Sequence, residues 1–382
     1  MAFVQAVSEV NARDVGLIAH VSTFKNLYLT IGVLGVAVVV GLARSYRVNR
    51  AARWWGLFSL FAFVVLSAHE QFAYAMMFLL WFGFVAVAFS SISFDNDDFN
   101  TFMRAVVSMM ALLVVYLYYV SVAHDVSVQW ADTTRVRFTS GLKNPSVYAR
   151  ITATLFWMCL LGFCLSRHRW YLVLSIGAAF LLRASDVRAD MVGLICGLVM
   201  FYTDWKGMRR ARVAMISLIA VFSVLLISRA LERYEVINDM LSGRPDVWGY
   251  VIDVSHHDAS VATYLFGTGR SVLFAAVTSK ELHYDNTYLE VLLRYGVVGF
   301  FLFGAGVVTI LRDLNRRVRR STGDERLVAA WAKGAFVHLL VVANAATVFP
   351  SLGSTVNVVL LPMILRVAAH QPLFEKRQYA SG

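Results

Sequence analysis

The residues best suited to chemistry fall into a few short clusters. The densest is His283-Tyr284-Asp285-Asn286-Thr287-Tyr288-Leu289-Glu290, just ahead of an apolar stretch containing Gly296, Gly299 and Gly304. An imidazole beside a carboxylate and an amide can take a proton near neutral pH, so His283 is a candidate general base, with Asp285, Asn286 and Tyr288 as candidate substrate contacts. The same run also reads as a helix start, with Asp285 or Asn286 as the N-cap and His283 a surface residue. In Ser242-Gly243-Arg244-Pro245-Asp246 a guanidinium is held between turn formers. Its planar fork suits phosphate oxygens, and pairing with Asp246 is the plainer use of the same residue. Leu265-Phe266-Gly267-Thr268-Gly269-Arg270 offers turn N–H groups that can cradle an anion, with Arg270 alongside, although an ordinary turn has the same composition.

Two further clusters are polar where the surroundings are not. Arg183-Ala184-Ser185-Asp186-Val187-Arg188-Ala189-Asp190 sits between apolar arms. Local pairs, Asp186 with Arg183 or Asp190 with Arg188, account for it structurally; two arginines and two aspartates together favour a water-filled cavity. Asn144-Pro145 is a turn and helix-start signal that can equally contact substrate. His256, His257 and Asp258 suggest a metal, but adjacent residues face different ways and no third ligand has suitable spacing. No metal and no cofactor are expected.

The elements that must position these residues are membrane helices. The chain of 382 residues is 59% hydrophobic and only 15% charged, with mean hydropathy +0.63; soluble chains average about 25% charged residues. A span needs roughly 20 apolar residues, and about eleven such stretches are present. They are 26–42, 54–68, 72–92, 105–123, 151–165, 213–227, 287–311, 327–345 and 356–367, with a split pair, 170–182 and 191–205. The arm 170–182 covers about 20 Å at 1.5 Å per residue, so the polar turn after it lies at or below a membrane boundary.

A formal charge of +11 invites nucleic acid as partner. The basic residues instead sit in short clusters between spans: Arg44 to Arg53, Arg167 and Arg169, Lys206 to Arg212, and Arg312 to Arg326. That is the positive-inside pattern. It puts the amino terminus and two loops, 124–148 and 229–286, outside and the tail with Lys376 inside. Residues 93–100, with Asp95, Asp97 and Asp98, are read as an inner loop. The amino terminus lacks the order of a removable signal peptide. Cys159, Cys164 and Cys196 fall within spans as packing residues. No repeat of fixed period and no separate soluble domain is visible, so residues 1–382 read as one membrane domain, with 229–286 partly helical.

Taken in order, the motifs resemble the O-antigen ligase and polymerase superfamily. The resemblance runs through 141–149 with its Asn-Pro, the turn at 185–194, Gly243-Arg244 with Trp248, Gly267-x-Gly269, and His283-x-x-Asn286-x-Tyr288-Leu289 closing on Gly296 and Gly299. It covers roughly the last two thirds of the chain, and Asp186 and Asp190 depart from residues that are commonly small or neutral there. It implies an all-α polytopic membrane protein of about 11–12 transmembrane helices, like the C-type membrane glycosyltransferases. It also implies a multi-pass enzyme of the bacterial inner membrane, acting on the periplasmic face without metal on an undecaprenyl-diphosphate-linked glycan donor. Arg188 and Arg244 are then the diphosphate ligands, with Arg183 as an alternative, and His283 serves the acceptor hydroxyl. Polymerase is preferred over ligase, whose acceptor is the lipid A core. A chain-length regulator and membrane lipids are the other partners implied. A lipid-linked oligosaccharide transporter is the rival from another class, disfavoured because the polar residues gather at one face without a repeat; a non-catalytic assembly subunit leaves the membrane-depth Arg and Asp without purpose.

Overall fold

A computed structural model describes residues 50–79, 96–123, 128–129, 136–137, 145–185, 187–207, 260–269, 272–274, 281–283, 286–344, 348 and 359–369. Within them ten helices are numbered here in chain order: α1 Arg50–Ala68, α2 Phe72–Phe78, α3 Asn96–Ala123, α4 Pro145–Ser166, α5 Arg169–Ala184, α6 Arg188–Trp205, α7 Val261–Phe266, α8 Thr287–Arg320, α9 Gly323–Val342 and α10 Leu361–Ala368. Two antiparallel strand pairs interrupt them, β1 Val128–Gln129 with β2 Val136–Arg137 and β3 Val272–Phe274 with β4 Glu281–His283.

The fold is all-α and polytopic. Among the described residues α1, Thr101–Tyr119 of α3, Tyr148–Ser166 of α4 and α8 are long and apolar enough to cross a membrane. Helices satisfy their own backbone groups where no water can, and this is why the apolar stretches fold this way. The predicted spans 26–42 and 213–227, the end of 72–92 and residues 229–259 lie outside the described residues. The split pair is present as α5 and α6, joined by a short turn. Residues 93–100 differ from expectation: the chain is already helical from Asn96. Pro145 opens α4, as its place after Asn144 predicts.

Large apolar side chains point outward along the helices, including Leu112, Val115, Ile176, Phe180, Ile195, Phe301 and Val308. Inside, α1, α2 and α8 share an aromatic core in which Phe58 packs 5.5 Å from both Tyr295 and Phe303, and Phe303 lies 5.7 Å from Trp55. The seam between α6 and α9 is built on small residues instead. A Cβ on Gly197 would lie 2.6 Å from the Gly334 carbonyl oxygen and 2.7 Å from Trp157 Cζ2, and one on Gly193 would meet Val342 at 2.8 Å. Gly193-x-x-x-Gly197 therefore lets two membrane helices approach to backbone contact.

These contacts orient the bundle. The ends of α1 and α9 and the starts of α6 and α8 lie at one end, since Gly193 touches Val342, Thr287 N donates to the Ala343 carbonyl at 2.8 Å and Gly269 touches His69. The basic clusters that close α6 and α8 lie at the other. There Arg326 donates to the Asp204 carbonyl at 3.0 and 2.8 Å, and Arg317 to the carbonyls of Val367 and Ala369, so both cap helix C-termini. The buried Lys333–Asp204 pair, 2.7 Å, with Asn315 accepting from Lys333 at 2.9 Å, ties α6, α8 and α9 together at that end.

Candidate active site

The candidate site is the end of the bundle away from the basic clusters, and its joint is a break in α8. Gly296 has φ 67° and ψ −173°, a conformation essentially restricted to glycine, and it interrupts the helix ladder. The carbonyls of Leu293 and Arg294 lose their usual partners there. They accept instead from the N–H groups of Thr268, 2.9 Å, and Gly269, 3.0 Å. A Cβ on Gly267 would collide with the Arg294 backbone, and one on Gly296 with Leu265. The segment after α7 is thus inserted into the kink; at Gly267 and Gly296 backbone meets backbone, while Gly269, at φ 66°, lies against the His69 side chain. Of the turn N–H groups expected to cradle an anion, those of Thr268 and Gly269 donate to helix carbonyls, and that of Gly267 donates to the Thr263 carbonyl.

From this joint the chain runs into the β3–β4 hairpin, whose register pairs Val272 with His283. Paired strands lie about 5 Å apart, and three residues span at most about 11 Å. The His283 backbone is therefore held within about 16 Å of Gly269. Asn286 follows and caps α8, its Oδ1 accepting from Tyr288 N at 2.9 Å and Leu289 N at 3.0 Å while its Nδ2 donates to the Asn344 carbonyl at 3.0 Å. Tyr288 donates its hydroxyl to the Leu340 carbonyl, 3.0 Å, and Thr287 Oγ1 accepts from Val348 N at 2.8 Å. Of the two N-cap candidates, Asn286 has the role. Asn286 and Tyr288 use these polar atoms to clamp α8 to α9.

Arg183, in the last turn of α5, and Arg188, the first residue of α6, are both exposed at the turn between the two arms. Asp190 does not turn to Arg188. It is fully buried and faces His338 of α9, with Nε2 3.8 Å from Oδ1. Residues two apart on a helix point to different sides, so the arginine is sent to the surface and the carboxylate into the seam. Arg244, Arg270, Asn144, Asp285 and Asp186 lie outside the described residues.

Sequence reading passed over Arg294. It is 1% exposed, yet sits inside a span beside the kink. Its Nη1 bonds Glu290 Oε1 and the Tyr74 hydroxyl, each at 3.2 Å, and the guanidinium lies 4.5 Å from the Tyr74 ring centre. This bonded and stacked guanidinium braces α2 against α8 where the helix is broken. Glu290 and Arg294, four apart within an apolar stretch, are the signal that could have found it. His338 was missed for a different reason: a lone histidine in an apolar helix gives no hint of the helix it faces.

Fold and site together define a helical membrane protein with its polar turns and broken helix at one end. Residues 170–304 match the family model described as O-antigen ligase. The matched stretch includes the α5–α6 turn, the glycine joint, the hairpin and the kinked start of α8, which carry most of the resemblance to the O-antigen ligase and polymerase superfamily; 141–149 lies before it. No curated protein matches the chain.

Proposed function

We propose that the protein is a surface-polysaccharide polymerase, joining undecaprenyl-diphosphate-linked glycans of an O-antigen, capsule or exopolysaccharide at the periplasmic face of the bacterial inner membrane. The observation carrying this reading is the convergence at one end of the bundle of the α5–α6 turn, the hairpin with His283 and the start of α8, all within the family match. That end is opposite the basic clusters, and under the positive-inside rule it is the outer one.

In the proposed reaction Arg188 and Arg244 hold the lipid diphosphate, with Arg183 and Arg270 nearby in sequence. The acceptor sugar hydroxyl attacks the anomeric carbon, its proton passes to His283, and the bond from that carbon to the diphosphate oxygen breaks. Fixed cations stabilise the charge that develops on the departing diphosphate. Attack from the opposite face inverts the anomeric centre. No step requires a metal.

Replacing His283 with Ala should abolish polymer while the protein stays in the membrane; near-normal polymer would remove His283 from the mechanism. Deleting the gene separates polymerase from ligase. Single repeats on the lipid A core are expected, whereas long chains stranded on the carrier lipid would identify a ligase with the core as acceptor. An intact ladder on the core would refute both.

A further inference from the structure

The turn between α1 and α2 brings a histidine and a glutamate to the same end from outside the matched segment. α1 ends in a glycine-type C-cap without the glycine: Gln71 N donates to the Leu66 carbonyl at 2.9 Å and Glu70 N to that of Ser67 at 3.1 Å, with Glu70 at φ 61°. Glycine is the usual residue at this position because a Cβ is strained there. Arg167 adopts a similar φ at the opposite end, so strain alone does not single out Glu70. Position does. The neighbouring His69 ring lies against Gly269, where a Cβ would strike it, and Gly269 is pinned to the kink of α8 by its bond to Arg294. Both His69 and Glu70 are exposed, and among the described residues neither side chain has an ion-pair or hydrogen-bond partner.

From this juxtaposition we infer that His69 and Glu70 form part of the acceptor subsite, hydrogen-bonding hydroxyl groups of the incoming sugar beside Gly269. The inference rests on the transfer reaction proposed above. A carboxylate accepts from two hydroxyls and a neutral imidazole accepts from one and donates to another, the complement of a polyhydroxylated acceptor. Neither group suits a diphosphate, which belongs to the arginines. The arginines of the family-matched part thus hold the donor, His283 takes the acceptor's proton, and the preceding turn helps to select the acceptor.

Glu70→Gly separates the two explanations, because glycine is the better C-cap. The full-length protein is reconstituted in liposomes with lipid-linked repeat extracted from cells lacking this gene as donor and the delipidated repeat as acceptor. If Glu70 binds acceptor, Glu70→Gly holds or raises the thermal midpoint while the acceptor KM rises about tenfold or more, the loss expected for hydrogen bonds to a charged group. The donor KM stays within about twofold. His69→Gln raises the acceptor KM in the same direction, by about fivefold, as for one neutral hydrogen bond. Acceptor KM values unchanged in both variants, beside an active wild type, overturn the inference alone. A wild type that transfers nothing to the repeat refutes the polymerase reading and this subsite with it.

Discussion

Gly296→Ala is the sharpest test of the joint that organises the site. The substitution acts twice. An alanine at φ 67°, ψ −173° carries strain of about 1–3 kcal/mol. Its Cβ also collides with the Leu265 carbonyl, so the 265–269 segment must leave the kink or the kink must close. Either way the bonds from Thr268 N and Gly269 N to the α8 carbonyls are lost, at about 1 kcal/mol each. The sum, about 3–5 kcal/mol, is a large part of an ordinary folding free energy of about 5–15 kcal/mol. In detergent or nanodiscs the apparent Tm should fall by about 5 °C or more, and glycan transfer should fall at least about tenfold, since about 1.4 kcal/mol of misplacement suffices. Gly304→Ala is the control: nothing lies within 4 Å of its added Cβ, and alanine is favoured over glycine by about 1 kcal/mol in a helix interior. If Gly296→Ala matches that control in both stability and transfer, the inserted segment is not what holds the site, and the argument from the kink fails.

Three further outcomes follow from the same contacts. Asn286→Ala removes a cap and a tie to Asn344 and should cost about 2–3 kcal/mol, read as a lower thermal midpoint that Asn286→Asp restores in part. Lys333→Met leaves the Asp204 carboxylate buried against one fewer cation and should destabilise by about 3 kcal/mol, whereas Lys333→Met with Asp204→Leu should recover much of that loss in a double-mutant cycle. Arg294→Met should loosen α2 from α8, seen as faster proteolysis or amide exchange in the α1–α2 turn, while Glu290→Gln with Arg294 retained has the smaller effect.

The membrane helices were legible because lipid enforces a simple rule: long apolar runs must be helical, and basic clusters mark one side. The split pair at 170–205, the helix start after Asn144-Pro145 and the N-cap near Asn286 were all readable from local residue types. The roles of the glycines were not. Gly267, Gly269 and Gly296 look like flexible turn and helix residues, and the reason for each lies elsewhere in the chain: a backbone passes too close to Gly267 and Gly296 for a side chain, and the His69 side chain lies against Gly269. The start of α3 was missed because acidic residues were read as loop when they also suit a helix N-terminus.

By itself the sequence determined that this is a helical membrane protein, where its polar turns fall, and which superfamily its motifs resemble; these depend on composition and on order along the chain. Tertiary structure alone decided that Asp190 faces His338 instead of Arg188, that Asn286 and Tyr288 clamp two helices, that Arg294 braces a broken span, and that His69 lies beside Gly269. Hydropathy sets which segments enter the bilayer. Which faces then meet depends on close packing between residues far apart in the chain, and no local pattern encodes those partners.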